Sequence, residues 1–152
     1  MKAFQFRLKN YLKIKEFEEK NSWNEVLKQE SRALNLKNKI DNLYITMQKS
    51  RAERDQIGIN PNVDQMRASL INESLQGLDA RVKALHQEYQ VELKLLEKLK
   101  DIHSEKRKEA KVIDKLQERK KKEFKVEREK IEQKNSNEIA GNLFARRDKK
   151  NG

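Results

Sequence analysis

The chain has no cysteine, one proline and four glycines among its 152 residues. Without cysteine there is no disulfide framework, no thiolate zinc site and no thiol nucleophile. Folds of many short strands or alternating βα units need turn residues about every ten positions. So few prolines and glycines cannot supply them, and long helices remain. Aromatic residues make up 6% and hydrophobic residues 35%, against nearly half apolar in a typical soluble domain, so a compact globule is also excluded. No apolar run approaches the roughly 18 to 20 residues of a membrane span. Met1 to Lys15 interleaves lysines with apolar residues instead of forming the unbroken core of a signal peptide, which points to the cytoplasm.

Charge is what the chain has in abundance: 40% of residues are Asp, Glu, Lys or Arg, and the net charge is +11. That composition is compatible with disorder, so pattern has to decide. Ile71, Leu75, Leu78, Val82, Leu85, Tyr89, Glu92, Leu96, Leu99, His103, Lys106, Ala110 and Ile113 alternate in steps of four and three, a heptad seam. Upstream, Val26, Ala33, Ile40 and Met47 stand seven apart, accompanied by Leu36 and Leu43, after a group of Phe4, Leu8, Tyr11, Leu12 and Ile14. Gly58-Ile59-Asn60-Pro61-Asn62 is the one strong breaker cluster, with Gly suited to a helix C-terminus and Asn-Pro to the start of the next helix.

The expectation is an all-α fold in a single domain over residues 1–152. Two long helices form an antiparallel coiled-coil hairpin, with a helix over 4–57, a turn over 58–62, a helix over 62–134 and a flexible, frayed segment over 135–152. Folding back at the breaker sets Ile40 near Leu78, Leu36 near Val82, Tyr44 near Leu75, Trp23 near Leu96 and Phe6 near Ile113. The helices would span roughly 80 and 110 Å, so the second overhangs from about Leu116. Beyond that point Lys120, Phe124, Glu127 and Ile131 are too polar a set to bury, Asn135-Ser136-Asn137 interrupts the helix, and Ile139, Leu143 and Phe144 form a last apolar patch.

Basic residues outnumber acidic ones by 6 to 3 over residues 1–20, 13 to 12 over 21–104 and 17 to 10 over 105–152. A hairpin brings the first and last blocks together, so the excess positive charge gathers at its open end.

No enzyme or cofactor chemistry emerges. His86 and His103 lack metal-ligand partners and a nucleophile, and His103, facing the region of Lys15 and Glu16, reads as a half-buried coiled-coil histidine. The glycines are scattered, with no phosphate loop. Lys106-Arg107-Lys108 and Arg119 to Lys122 could meet phosphates, yet eight acidic residues interrupt thirteen basic ones over 105–134, so nucleic acid is not the expected partner. Trp23 and Tyr89 read as seam aromatics. Near the hairpin tip Leu43, Tyr44, Ile45, Met47, Leu70 and Ile71 exceed what a two-stranded seam can bury. About half of that group should be exposed, as a protein-docking face or as a site for a third helix or self-association.

Both ends resemble the FliJ family, the coiled-coil component of the flagellar type III export apparatus. Phe4-Gln5-Phe6-Arg7-Leu8, then Leu12, Lys15-Glu16 and Glu18-Glu19, is similar to the family's aromatic-x-aromatic-Arg-Leu opening. Glu132-Gln133-Lys134, Asn137-Glu138-Ile139-Ala140 and Arg146-Arg147 are similar to its closing pattern, with Asn137 where Asp is usual. The resemblance implies a non-enzymatic central stalk, similar to the shafts of F-type and V-type ATPases. Its open end would enter the pore of the export ATPase hexamer. Another surface would contact the large export-gate membrane protein, so that the stalk joins the inner-membrane apparatus peripherally, and export chaperones would be escorted.

On that basis Phe4, Phe6, Arg7, Lys120, Lys121, Lys122, Phe124, Ile131, Ile139, Leu143, Phe144, Arg146 and Arg147 are expected to meet the ATPase. Leu43, Tyr44, Met47, Leu70 and Ile71 are expected to meet the gate or chaperones. No cofactor, nucleic acid or small-molecule substrate is expected, and the isolated chain should be a monomer. The rival readings are a structural homodimer of extended chains and a basic nucleic-acid-binding coiled coil.

Overall fold

The computed structural model describes residues 3–57 and 61–151. Helix α1 runs over Lys9–Asp55 and helix α2 over Pro61–Asn151, packed antiparallel, with no strand among the described residues. The all-α expectation holds, but the boundaries differ. Ala3 to Phe6 are not helical and Arg7-Leu8 form a turn, so the first helix starts later than Phe4. Pro61, expected in the turn, opens α2 one residue ahead of the expected start at 62, where proline's fixed φ and missing N–H are harmless and Asp64 stands in the first turn at the positive helix end. Gly58, Ile59 and Asn60 lie outside the described residues.

A second correction concerns the C-terminal segment. The helix continues through Asn135-Ser136-Asn137 to Asn151 instead of fraying there. Exposed Asn and Ser cost a helix only a few tenths of a kcal/mol each, and no proline forces a stop.

The chain divides into two compact units, one of Lys20–Glu105 and one of Met1–Glu19 with Lys106–Gly152. In the central unit Ile40, Met47, Leu75 and Val82 form the buried cluster, with Leu43, Ile71, Leu78, Leu85 and Tyr89 packed around it. All thirteen seam positions read on α2 from Ile71 to Ile113 are buried or half-buried, as the four-three spacing predicts. The matching seam on α1 includes polar positions that an apolar count passes over: Ser22, Gln29 and Ser50 sit among Val26, Ala33, Leu36, Ile40, Leu43 and Met47.

Those polar positions find one another. Gln29, 2% exposed, donates through Nε2 to the Glu92 carbonyl oxygen at 3.0 Å and also to the Glu92 carboxylate. Ser22 Oγ lies 2.9 Å from His103 Nδ1, and the Trp23 ring packs on the same imidazole at 5.1 Å between centroids. Trp23 therefore meets His103, seven residues further along α2 than the expected Leu96. At Trp23 the expected pairing was one heptad out of register, while Ile40 and Leu78 share the core cluster as expected. His103 is half-buried as expected, but its neighbours are Ser22 and Trp23, not the region of Lys15.

In the terminal unit Leu12, Ala110 and Ile113 are buried. Beside them lies an ion cluster in which Lys15 bonds Glu109 at 3.1 Å and Glu18 at 3.4 Å, while Lys106 reaches Glu18 at 3.3 Å and Glu109 at 4.0 Å. The Lys106 ammonium, seconded by Lys15, holds the Glu18 carboxyl below its ordinary 4.5. The Glu109 carboxylate, seconded by Glu18, holds Lys15 above 10.5.

A lowered carboxyl pKa stabilises the folded state above the unfolded value and ceases to as pH falls through the folded one. The raised Lys15 contribution is complete below 10.5 and is lost only as pH rises through its folded value. Glu18→Gln is thus expected to lower the melting temperature modestly at neutral pH, with the difference from the parent shrinking below 4.5. Melts followed by circular dichroism across that range measure it; a difference that persists at acid pH would assign the loss to something other than the ion cluster.

Candidate functional site

The seam does not end where α1 ends. Upstream of Lys9 the chain is no longer helical, and Phe4 lays its ring against Phe124 of α2, with centroids 5.5 Å apart and planes tilted at 51°. Phe124, expected to be unpartnered, is therefore half-covered, and the bare part of α2 begins after it instead of near Leu116. The turn is tied by the Lys9 N–H to the Phe6 carbonyl at 3.1 Å and the Leu12 N–H to the Leu8 carbonyl at 2.8 Å.

The aromatic pair has an open groove on each side. One, of about 610 Å³, is floored by Ala3, Phe4 and Phe124 and edged by Lys121, Lys122, Lys125 and Arg128, with Glu118 as its carboxylate. The other, of about 750 Å³, is lined by Phe6, Leu8 and Leu116 with Arg7, Lys120 and Glu123. Two of these cations are already engaged: Lys120 with Glu123 at 3.5 Å and Arg128 with Glu132 at 3.3 Å, while Arg119, outside the grooves, also reaches Glu123 at 3.9 Å. Among the described residues Lys121, Lys122 and Lys125 have no carboxylate partner.

Past Phe124 every residue from 125 to 150 is exposed, including Ile131, Ile139, Leu143, Arg146, Arg147 and Phe144, the last at 68%. In the terminal unit, then, Phe4, Phe6, Arg7, Lys120, Lys121, Lys122 and Phe124 come together around two grooves, while the remaining expected contacts lie along unaccompanied helix. Lys125 and Arg128 belong to the grooves and were not anticipated. The period-two alternation of Phe4-x-Phe6 was the available signal, since it describes an extended segment better than a helix.

The second expected group is dispersed. Met47 is buried, Leu43 and Ile71 are half-buried against the core cluster, and only Tyr44 and Leu70 are exposed, together with Ile45. Tyr44 is paired with His86, its hydroxyl 3.4 Å from Nε2 and the rings 6.3 Å apart. Among the described residues no group of three His, Cys, Asp or Glu side chains could hold a metal ion, and no helix is long and apolar enough to cross a membrane.

A family model described as flagellar FliJ protein matches residues 4–149, from the Phe4 strap through the basic end of α2. The chain belongs to the FliJ family. FliJ membership makes it a flagellar export-related protein of a structural kind. The match takes in both segments that carried the resemblance, so Asn137 in place of the usual Asp does not take the chain outside FliJ. Comparison with curated proteins and with solved structures finds no match.

Proposed function

We propose that this FliJ-family chain is a non-enzymatic stalk or adaptor of flagellar export. It binds the export ATPase hexamer through its terminal unit and couples it to the large export-gate membrane protein at the cytoplasmic face of the inner membrane. It works without cofactor and is a monomer when isolated. The observation that carries the reading is the stretch of α2 beyond Phe124, helical to Asn151 yet covered by nothing, with apolar Ile131, Ile139, Leu143 and Phe144 among basic residues. Water does not favour so much exposed apolar surface on an ordered helix unless a partner covers it. A ring of subunits around that helix supplies such a partner.

Tyr44, Ile45 and Leu70 of the central unit are the accessible residues for the gate or for escorted chaperones, whereas Met47, Leu43 and Ile71 support them from within the packing. A nucleic-acid role is disfavoured because Arg119, Lys120 and Arg128 are already drawn to glutamates on their own helix.

The test is truncation after Phe124, which leaves the aromatic pair and the whole core in place. Stimulation of the export ATPase is expected to disappear, and full stimulation by the truncated chain would overturn the reading. Phe144→Ala should mainly speed release from the ATPase, by about tenfold for a well-packed anchor. Neutralising Lys120, Lys121 and Lys122 should mainly slow association and flatten its salt dependence, since rim charges steer encounter.

A further inference from the structure

The groove beside the Phe4–Phe124 pair has a composition that selects its occupant. Its floor is apolar and its edge carries Lys121, Lys122 and Lys125, none with a carboxylate partner among the described residues. Cationic edges around an apolar floor complement an apolar side chain flanked by carboxylates. Lys121 and Lys125 are four residues apart, which places them one turn from each other on α2, about 5–6 Å apart, with Lys122 beside them. Carboxylates at the same step on a second helix would match that ladder.

We propose that this groove is a docking site for an acidic amphipathic helix of a protein partner, which inserts one large apolar residue between Phe4 and Phe124 on one side and the lysine edge on the other. The occupant is a protein and not a nucleic acid: a phosphate backbone carries a charge at every step and would meet Glu118 in the lining, whereas a helix can set carboxylates opposite Lys121 and Lys125 and a neutral residue opposite Glu118. The floor depends on the N-terminal strap: Phe4, in a stretch that is not helical, rests on Phe124, so the groove is made by the N-terminal residues and α2 together. This rests on the reading of the terminal unit as the partner-binding part, and it specifies the chemistry recognised there.

The experiment uses the full chain and a fluorescein-labelled stapled helical peptide with a central leucine flanked by glutamates one turn away on either side. Anisotropy should show saturable binding that weakens with salt. Phe4→Ala, Phe124→Ala and the pair Lys121→Glu with Lys125→Glu should each weaken it about tenfold or more. Phe4 lies outside both helices, so Phe4→Ala keeps the test decisive if Phe124→Ala disturbs folding, and far-ultraviolet circular dichroism checks the helix content of every variant.

Three results would overturn the proposal: unchanged peptide affinity in folded variants, equal affinity for a peptide whose central leucine is alanine, or equal affinity for a short single-stranded oligonucleotide. The same variants in the ATPase assay separate this proposal from the functional reading beneath it. Groove-dependent peptide binding by a chain that does not stimulate the ATPase removes the stalk reading and keeps the groove. Full stimulation by the groove variants removes the groove and keeps the stalk.

Discussion

Val82→Asp is expected to destabilise the chain by about 3–5 kcal/mol, enough to lower the melting temperature by roughly 10 °C or more. Val82 is 3% exposed and packs in the cluster with Ile40, Met47 and Leu75, where a carboxylate finds neither water nor a cation. The introduced group must be buried charged, be protonated at neutral pH, or open the helices around it, and each route costs several kcal/mol. Val91→Asp is the control, since Val91 is 64% exposed and its substitution should stay within about 0.5 kcal/mol. Urea unfolding and thermal melts followed by circular dichroism measure both. Leu78 and Leu85 sit on the same seam but are half-buried, so aspartate there can reach solvent and the loss should be smaller. An unchanged melt for Val82→Asp would mean that the seam lies elsewhere.

The polar layer of the central unit should respond in the opposite sense to single and double substitution. Gln29→Ala removes the donor that meets both the carbonyl and the carboxylate of Glu92, and is expected to cost about 2 kcal/mol through the cavity and the unsatisfied acceptors. Replacing the pair together, Gln29→Leu with Glu92→Leu, should restore or raise stability, because an apolar layer carries no desolvation penalty. The gain should come with a broader melt. Without the polar layer the two seams can slide by a heptad and still bury leucines against leucines, so more than one pairing becomes populated. A double variant that is both less stable than Gln29→Ala and equally cooperative would show that the layer does not set the register.

That contrast shows why some features were legible and others were not. The α2 seam was readable residue by residue because a sustained four-three alternation, apolar except at Glu92, His103 and Lys106, has no other common explanation, and all thirteen seam positions from Ile71 to Ile113 are buried or half-buried. The α1 seam was half-readable, since Ser22, Gln29 and Ser50 look like surface residues until their partners are known. The Phe4 strap was misread as helix. The period of two in Phe4-Gln5-Phe6 hints at a non-helical segment, but nothing in it forbids a helix, and its partner Phe124 stands about 120 residues away.

By itself the sequence determined that this protein is two long helices, that its excess positive charge lies in the first twenty and last fifty or so residues, and that both termini resemble FliJ. These follow from local propensity, from periodicity and from counting, which need no knowledge of what faces what. Only the tertiary structure decided the register, the covering of Phe124 and the grooves beside it. A heptad pattern repeats itself every seven residues, so apolar burial is nearly the same after a slip of one repeat, and hydrophobicity alone even favours pairing Trp23 with Leu96 over His103. The difference is made by the few polar groups on the seam: one heptad away, Gln29 would lose Glu92 and face Leu85, and Ser22 would lose His103 and face Leu96. Burying those groups unpaired costs about 1–3 kcal/mol each. That energy belongs to pairs of residues and not to either residue alone.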